Sequence, residues 1–244
     1  LTSVAGDIDG DADLEVVTVT DWGSVHAWHA ESGQPVSGRW PRAVGDWNVL
    51  IESSPVLADL DGDGDIEILV AAQGSKVLVA LQGDGAEMWS RLYEVSGPFS
   101  AADLDRDGDV EIALCGFAAA TSNVYTYILD HQGQMLTRWR GGSEMGTAIA
   151  DLDADGVPEV LFCTDDSIKA VHPDGTTLWT AQVPGDFGTS GTLVAGDLDG
   201  DGLAEVFVAA LIDDDSFEYT GLFGFDSAGR LVAEAGFPKT ILGY

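Results

Sequence analysis

The stretch Asp59-Leu60-Asp61-Gly62-Asp63-Gly64-Asp65-Ile66-Glu67 decides the reading of this chain, because the chain carries five copies of it. The others run from Asp7 to Glu15, Asp103 to Glu111, Asp151 to Glu159 and Asp197 to Glu205, with starts 44 to 52 residues apart. Acidic side chains fall at the first, third, fifth and ninth positions of each. An apolar run follows at once: Val16-Val17, Ile68-Leu69-Val70, Ile112-Ala113-Leu114, Val160-Leu161-Phe162 and Val206-Phe207-Val208. Turn residues running directly into such a segment read as a loop feeding a strand, and self-similarity at this period marks a repeat array.

Alternate carboxylates in a tight turn point inward, and a hard divalent cation of calcium's size takes six to eight oxygens. In the second copy Asp59, Asp61 and Asp63 supply the first three oxygens. Gly64 permits the turn, the carbonyl of Asp65 supplies a fourth oxygen, and Glu67 closes the sphere from the start of the next strand. The corresponding sets are Asp7, Asp9, Asp11, Asp13 and Glu15; Asp103, Asp105, Asp107, Asp109 and Glu111; Asp151, Asp153, Asp155, Val157 and Glu159; and Asp197, Asp199, Asp201, Leu203 and Glu205. Without metal, carboxylates held this close repel one another or take up protons. A solvated acidic turn would account for one copy, since Asp and Gly are ordinary turn formers, but five in register argue against it. An EF-hand needs Glu at the twelfth position, where this chain has Thr18, Val70, Leu114, Phe162 and Val208.

The motif Asp-x-Asp-x-Asp-Gly-x-x-Glu between two strands, at this period, resembles the FG-GAP/VCBS repeat, the calcium-bearing blade of integrin-alpha-type β-propellers. The resemblance covers nearly the whole chain. It implies an all-β propeller of four-stranded antiparallel blades, up to five Ca²⁺ ions, and a secreted or cell-surface role in adhesion or in recognition of a protein or glycan. Two departures stand out: Ala12 replaces the turn glycine found as Gly64, Gly108, Gly156 and Gly202, and Val157-Pro158 follows the fourth turn. The first predicts a less tight turn, and the second leaves the Val157 carbonyl available.

Each repeat reads as four strands. In the second, Ser54 to Leu60 is strand A, Ile66 to Ala72 is B, Lys76 to Leu81 is C and Glu87 to Tyr93 is D, with Gln73-Gly74-Ser75 and Gly83-Asp84-Gly85 as hairpin turns. The same plan gives five blades at about 1–43, 50–95, 97–140, 143–184 and 188–239 within a single array over 1–244. The chain opens on Leu1, inside a repeat, and ends just past an outer strand. This predicts a processed piece or a segment of a longer array.

A second recurring signal is a turn Gly followed by an aromatic residue: Gly33 to Trp40, Gly85 to Trp89, Gly133 to Trp139, Gly175 to Trp179 and Gly229 to Phe237. Recurrence at one blade position predicts packing between blades rather than sugar binding. Trp22, Trp28 and Trp47 fall outside the pattern. In an antiparallel blade the A–B and C–D turns share one face, so all five acidic loops lie there. The opposite face collects irregular segments: Asp21-Trp22-Gly23, Asp46-Trp47-Asn48, Thr121-Ser122-Asn123, Asp165-Asp166, Asp186-Phe187 and Asp213-Asp214-Asp215 through Tyr219. Variable loops on a rigid scaffold are where binding concentrates, which makes Trp22, Trp47, Asp186, Phe187 and Asp214 the candidate ligand-face residues.

Charge sets limits on partners. The chain has 42 acidic against 10 basic residues, a net charge of −32, which five calcium ions would reduce to about −22. Nucleic acid and anionic membrane surfaces are therefore poor partners. No stretch is long and apolar enough for a transmembrane helix. An extracellular, cell-surface or periplasmic location follows from the metal alone, because cytosolic calcium is too scarce to fill weak sites. Cys115 and Cys163 occupy equivalent positions in neighbouring repeats. Facing sheets pack about 10 Å apart, beyond disulfide reach, so both read as buried free thiols.

Catalytic constellations are weak. His26 and His29 are spaced three apart on one strand and point to opposite faces, and His131 and His172 lie near C–D turns with no acidic partner beyond the loops. There is no Gly-x-Ser-x-Gly elbow and no phosphate-binding loop. Three classes stay open: a calcium-stabilised recognition module, the propeller domain of a carbohydrate-active enzyme such as a polysaccharide lyase, and a structural surface-assembly module. Val79-Ala80-Leu81 through Gly85 to Trp89 also resembles the repeats of quinone-dependent dehydrogenases.

Overall fold

The computed structural model describes residues 2–20, 22–44, 51, 53–118, 123–164, 166–183, 192–213, 218–232 and 239–241. Short apolar runs separated by turn residues fold here as five antiparallel sheets, with a single 3-10 turn, Gln73–Ser75, as the helical element among the described residues. The first sheet is β1 (Thr2–Gly6), β2 (Glu15–Val19), β3 (Ser24–His29) and β4 (Arg42–Ala43). The second is β5 (Val56–Ala58), β6 (Glu67–Ala72), β7 (Val77–Leu81) and β8 (Glu87–Leu92). In the third, β9 (Glu94–Val95) and β10 (Ser100–Ala102) both pair with β11 (Glu111–Phe117), followed by β12 (Val124–Leu129) and β13 (Met135–Arg140). The fourth is β14 (Thr147–Ala150), β15 (Glu159–Cys163), β16 (Ser167–Val171) and β17 (Thr177–Gln182), and the fifth β18 (Leu193–Gly196), β19 (Glu205–Asp213), β20 (Glu218–Phe225) and β21 (Lys239–Ile241). Leaving β9 aside, every sheet keeps its strands in chain order, so each acidic loop joins the first two strands of that order, β10 and β11 in the third sheet.

The sheets stack face to face, and β6 shows how. Side chains alternate across a strand. Ile68, Val70 and Ala72 pack into one core with Val17 and Val19 of the first sheet, while Leu69 and Ala71 pack into another with Ile112 and Leu114 of the third. In β11 the odd residues Ala113 and Cys115 meet Val160 and Phe162, and from β15 Leu161 and Cys163 meet Val206 and Val208. The second strands of the three middle sheets are therefore buried almost throughout, whereas β2 buries alternate residues only. A strand covered on both faces reads as a continuous apolar run, which is what these segments show.

The recurrent aromatics fasten one sheet to the next. The Trp40 indole N–H donates to Gly83 O (3.0 Å), Trp89 to His131 O (2.8 Å) and Trp179 to Ser227 O (2.9 Å), each a carbonyl in the hairpin of the following sheet. A Cβ on Gly85, Gly133, Gly175 or Gly229 would come within 2.6 to 3.2 Å of Trp40, Trp89, Trp139 or Trp179 respectively. The absent side chain makes room for the ring. The expectation of packing between units thus holds for these four tryptophans, while Phe237 lies outside the described residues.

Two expectations are corrected. Asp213, Glu218 and Tyr219, expected in an irregular loop, are strand residues, Ile212 pairing with Tyr219 and Asp213 with Glu218, while 214–217 lie outside the described residues. Ala12 does not loosen the first turn, since it takes the same left-handed conformation (φ +74°) as Gly64 (+95°) and Gly108 (+99°). Cys115 and Cys163 are buried free thiols; burial pushes both up, Cys163 to about 12.

Candidate metal centre

In every copy the loop is folded by its own carboxylates. The first Asp accepts the N–H of the sixth residue through Oδ2: Ala12 to Asp7 (3.0 Å), Gly64 to Asp59 (3.0 Å), Gly108 to Asp103 (3.2 Å), Gly156 to Asp151 (2.9 Å) and Gly202 to Asp197 (3.0 Å). The fifth-position Asp accepts the N–H of the seventh: Asp13 to Asp11, Asp65 to Asp63, Asp109 to Asp107, Val157 to Asp155 and Leu203 to Asp201, all between 2.7 and 3.0 Å. The fourth position also has positive φ, in Gly10, Gly62, Arg106, Ala154 and Gly200, a constraint that the acidic spacing did not reveal because two of these residues are not glycine.

The ninth-position glutamate is the buried anchor. Glu15, Glu67, Glu111 and Glu159 are 0, 3, 5 and 0 % exposed. Each accepts the N–H of the loop's second residue: Ile8 to Glu15 (3.0 Å), Leu60 to Glu67 (3.0 Å), Leu104 to Glu111 (2.9 Å) and Leu152 to Glu159 (2.9 Å), and Leu198 does the same to Glu205 (2.9 Å). Burial pushes Glu67 and Glu111 up to about 7. The Leu60 and Leu104 N–H groups oppose this, and the neighbouring loop aspartates reinforce it. Glu159 is raised for the same first reason, with His172 opposing.

These side chains converge. Donor atoms of Asp7, Asp9 and Asp11, of Asp59, Asp61 and Glu67, and of Asp103, Asp105 and Glu111 lie within 4.8 Å of one another in each set. Asp59 Oδ1, Asp151 Oδ1 and Glu159 Oε1 are shut off from water and accept no hydrogen bond. Buried polar atoms are nearly always satisfied, so clustered carboxylates with orphaned oxygens fit a bound cation, and the all-oxygen second loop fits a hard one. Calcium bound there would neutralise the mutual repulsion and hold the loop against its strand.

Neighbouring loops adjoin on one side of the stack. Arg106 of the third loop donates to Gly156 O (3.0 Å) and Asp155 O (2.5 Å) of the fourth, and Val110 N–H donates to Leu60 O (3.0 Å) beside the second. At the far end of β2, Trp22 is 72 % exposed. Trp47, Asp186, Phe187 and Asp214 lie outside the described residues. His26 stacks on Trp28 (5.3 Å).

Histidines near the loops escaped the reading of the sequence. His29 Nδ1 hydrogen-bonds Glu15 Oε1 at 3.0 Å, which raises its pKa. His172 Nδ1 lies 2.9 Å from Glu159 Oε1 and His131 Nδ1 2.9 Å from Asp109 Oδ2. The signal was cross-strand register, which sets His29 opposite Glu15, rather than spacing along one strand.

The family model for the FG-GAP-like repeat matches residues 7–70, 59–114 and 151–208. No curated protein matches the sequence significantly. Among solved structures, the biofilm matrix protein Bap1 of V. cholerae is similar over 94 % of this chain and 38 % of its own, at 20 % identity and a TM-score of 0.60. BBS1N, solved in complex with ARL6DN, is similar over 94 % of this chain and 76 % of its own (12 % identity, TM-score 0.58). The quinohemoprotein alcohol dehydrogenase of Comamonas testosteroni is similar over 95 % and 42 % (17 % identity, TM-score 0.54). The chain thus spans well under half the length of two of these three, and at such identities the likeness is one of fold.

Proposed function

The chain belongs to the FG-GAP-like repeat family, and from that premise we propose that it is a calcium-stabilised β-propeller, its five sheets the blades, which serves outside the cytosol as a recognition module for a protein or glycan. The observation that carries the reading is the recurring loop. Five copies fold alike, four of their closing glutamates are buried, and orphaned oxygens face the space a cation would take. Calcium is mainly structural here, because Glu67, Glu111 and Glu159 each open a strand sandwiched between two cores.

Recognition is assigned to the face opposite the loops, where Trp22 is exposed. The fold likeness to a biofilm matrix protein supports an extracellular setting at a surface or in a matrix. No helix among the described residues is long and apolar enough to cross a membrane.

Thermal melts in EDTA, then across a calcium titration with magnesium as control, test the cation half of the proposal. With a dissociation constant near ~0.1 mM and ~1 mM free calcium, each site adds about 1.4 kcal/mol. A calcium-specific rise in Tm is expected; no rise, or an equal one with magnesium, refutes it. Binding to immobilised glycans and matrix proteins, with Trp22→Ala as comparison, tests the other half. Retention that Trp22→Ala leaves unchanged would move the ligand surface elsewhere.

A further inference from the structure

One position recurs in the hairpin between the last two strands of each sheet, and in the first and fourth sheets it lies beside the acidic loop. Its occupants are His29, Gln82, Asp130, His172 and Asp226, aligned by a shared bond in which their N–H closes the hairpin onto Gln34, Ala86, Gln134, Thr176 and Arg230 O. Asp130 and Asp226 turn back into their own hairpins, accepting N–H groups from Gln132 and Gln134 and from Ala228 and Arg230. In the fourth sheet that task falls to Asp174, which accepts from the Thr176 N–H and hydroxyl. The His172 ring is left to face the loop.

There it meets an unsatisfied site. The donor atoms of Asp153, Glu159 and His172 lie within 4.8 Å of one another. Glu159 is fully buried, and its Oε1 has no partner other than the His172 ring, whose Nδ1 lies 2.9 Å away. Asp151 Oδ1 in the same loop is likewise buried and unpaired. With the ring proton on Nε2, the cluster would add a nitrogen donor to these carboxylate oxygens.

We propose that the fourth loop is a mixed nitrogen–oxygen site for a first-row transition divalent cation, held by Asp153, Glu159 and His172, while the second, third and fifth loops, which have Gln82, Asp130 and Asp226 at this hairpin position, take calcium. Calcium selects oxygen ligands, whereas imidazole favours the transition series. Two donors 2.9 Å apart, each ~2.1 Å from one ion, subtend about 90° there, an octahedral edge. The first loop offers the same trio in Asp9, Glu15 and His29, but there the imidazole already bonds the glutamate (3.0 Å), so a metal must displace that bond and the fourth loop fills first. The inference rests on reading the loops as cation sites.

The test uses cobalt(II) as probe on the full chain equilibrated in millimolar calcium, read by bound-metal analysis and by visible d–d absorption. About one cobalt per chain should be retained against calcium. His172→Gln should weaken that binding at least about 10-fold and remove the nitrogen-ligand signature, while His29→Gln leaves the first equivalent in place and both variants keep the calcium-dependent rise in Tm. Cobalt that calcium displaces completely, or binding that His172→Gln leaves unchanged, overturns the inference and leaves the calcium reading standing. If neither calcium nor cobalt binds or alters the melt, both fall.

Discussion

Replacing Glu67 and Glu111 together by glutamine should stabilise the calcium-free protein and leave the calcium-loaded protein close to wild type. Glutamine keeps the shape and can still accept the Leu60 and Leu104 N–H bonds, but it carries no charge. Without metal near pH 8, each wild-type glutamate must ionise in a buried position beside three aspartates. The gap between 4.5 and about 7 corresponds to about 3 kcal/mol per site at full linkage, and water on the loop side reduces this to about 1.5 kcal/mol. The double variant should therefore gain about 3 kcal/mol in EDTA. In calcium it loses two anionic ligands, and with them roughly the 1.4 kcal/mol each site contributes at tenfold its dissociation constant, about 3 kcal/mol in all, which offsets the gain and leaves it close to wild type. At 2–4 °C per kcal/mol for a chain of this size, melts followed by circular dichroism should show a rise of roughly 6–12 °C in EDTA and a shift of no more than about 2–4 °C in calcium. A variant less stable in both conditions, or equally displaced in both, would refute the placement of the charge cost at these two carboxylates.

Three further outcomes follow from particular contacts. Because the folded-state pKa of Glu67 and Glu111 is raised, their contribution to stability is full below 4.5 and lost as pH rises through about 7; wild-type melts in EDTA should fall across that window, while apparent calcium affinity by titration calorimetry rises. Trp89→Phe should cost about 1 kcal/mol in urea unfolding, through the lost bond to His131 O, and Trp89→Ala about 3–5 kcal/mol; equal costs would place the ring's role elsewhere. Ala12→Gly should stabilise by about 0.5–1 kcal/mol, since Ala12 sits at φ +74°, and a destabilised variant would contradict the left-handed turn.

Much of the arrangement is legible in the chain because its constraints are local. Alternate acids need a tight turn, the turn needs positive φ, and the apolar run after it must be a strand; strand B, read as Ile66 to Ala72, is observed as Glu67–Ala72. The aromatic after each turn glycine is readable for the same reason, since one missing Cβ and one indole make a complete contact. What escaped is non-local. His172 reaches Glu159 through cross-strand register, which spacing along one strand does not encode. The β19–β20 hairpin escaped because Asp-rich residues suggested a loop, whereas backbone pairing continued through Asp213 and Glu218. Pairing of this kind depends on the partner strand as much as on local propensity.

The separation of the two faces bears on which ligands the chain can accept. Its acidic excess is concentrated in the loops, yet the second strands that separate those loops from the opposite turns are about six residues long, or roughly 20 Å at 3.3 Å per residue. At physiological ionic strength the Debye length is about 8 Å, so across solvent the loops' field is strongly damped at Trp22. Bound cations reduce it at the source as well. A net charge of −32 therefore argues against nucleic acid and anionic bilayers approaching the loop side, but places no electrostatic bar against a neutral or acidic glycan docking at the other. On the proposed reading calcium would act on recognition through rigidity: Glu67, Glu111 and Glu159 open strands whose alternate side chains fill two cores, so a filled loop would fix the spacing of the sheets that carry the opposite face.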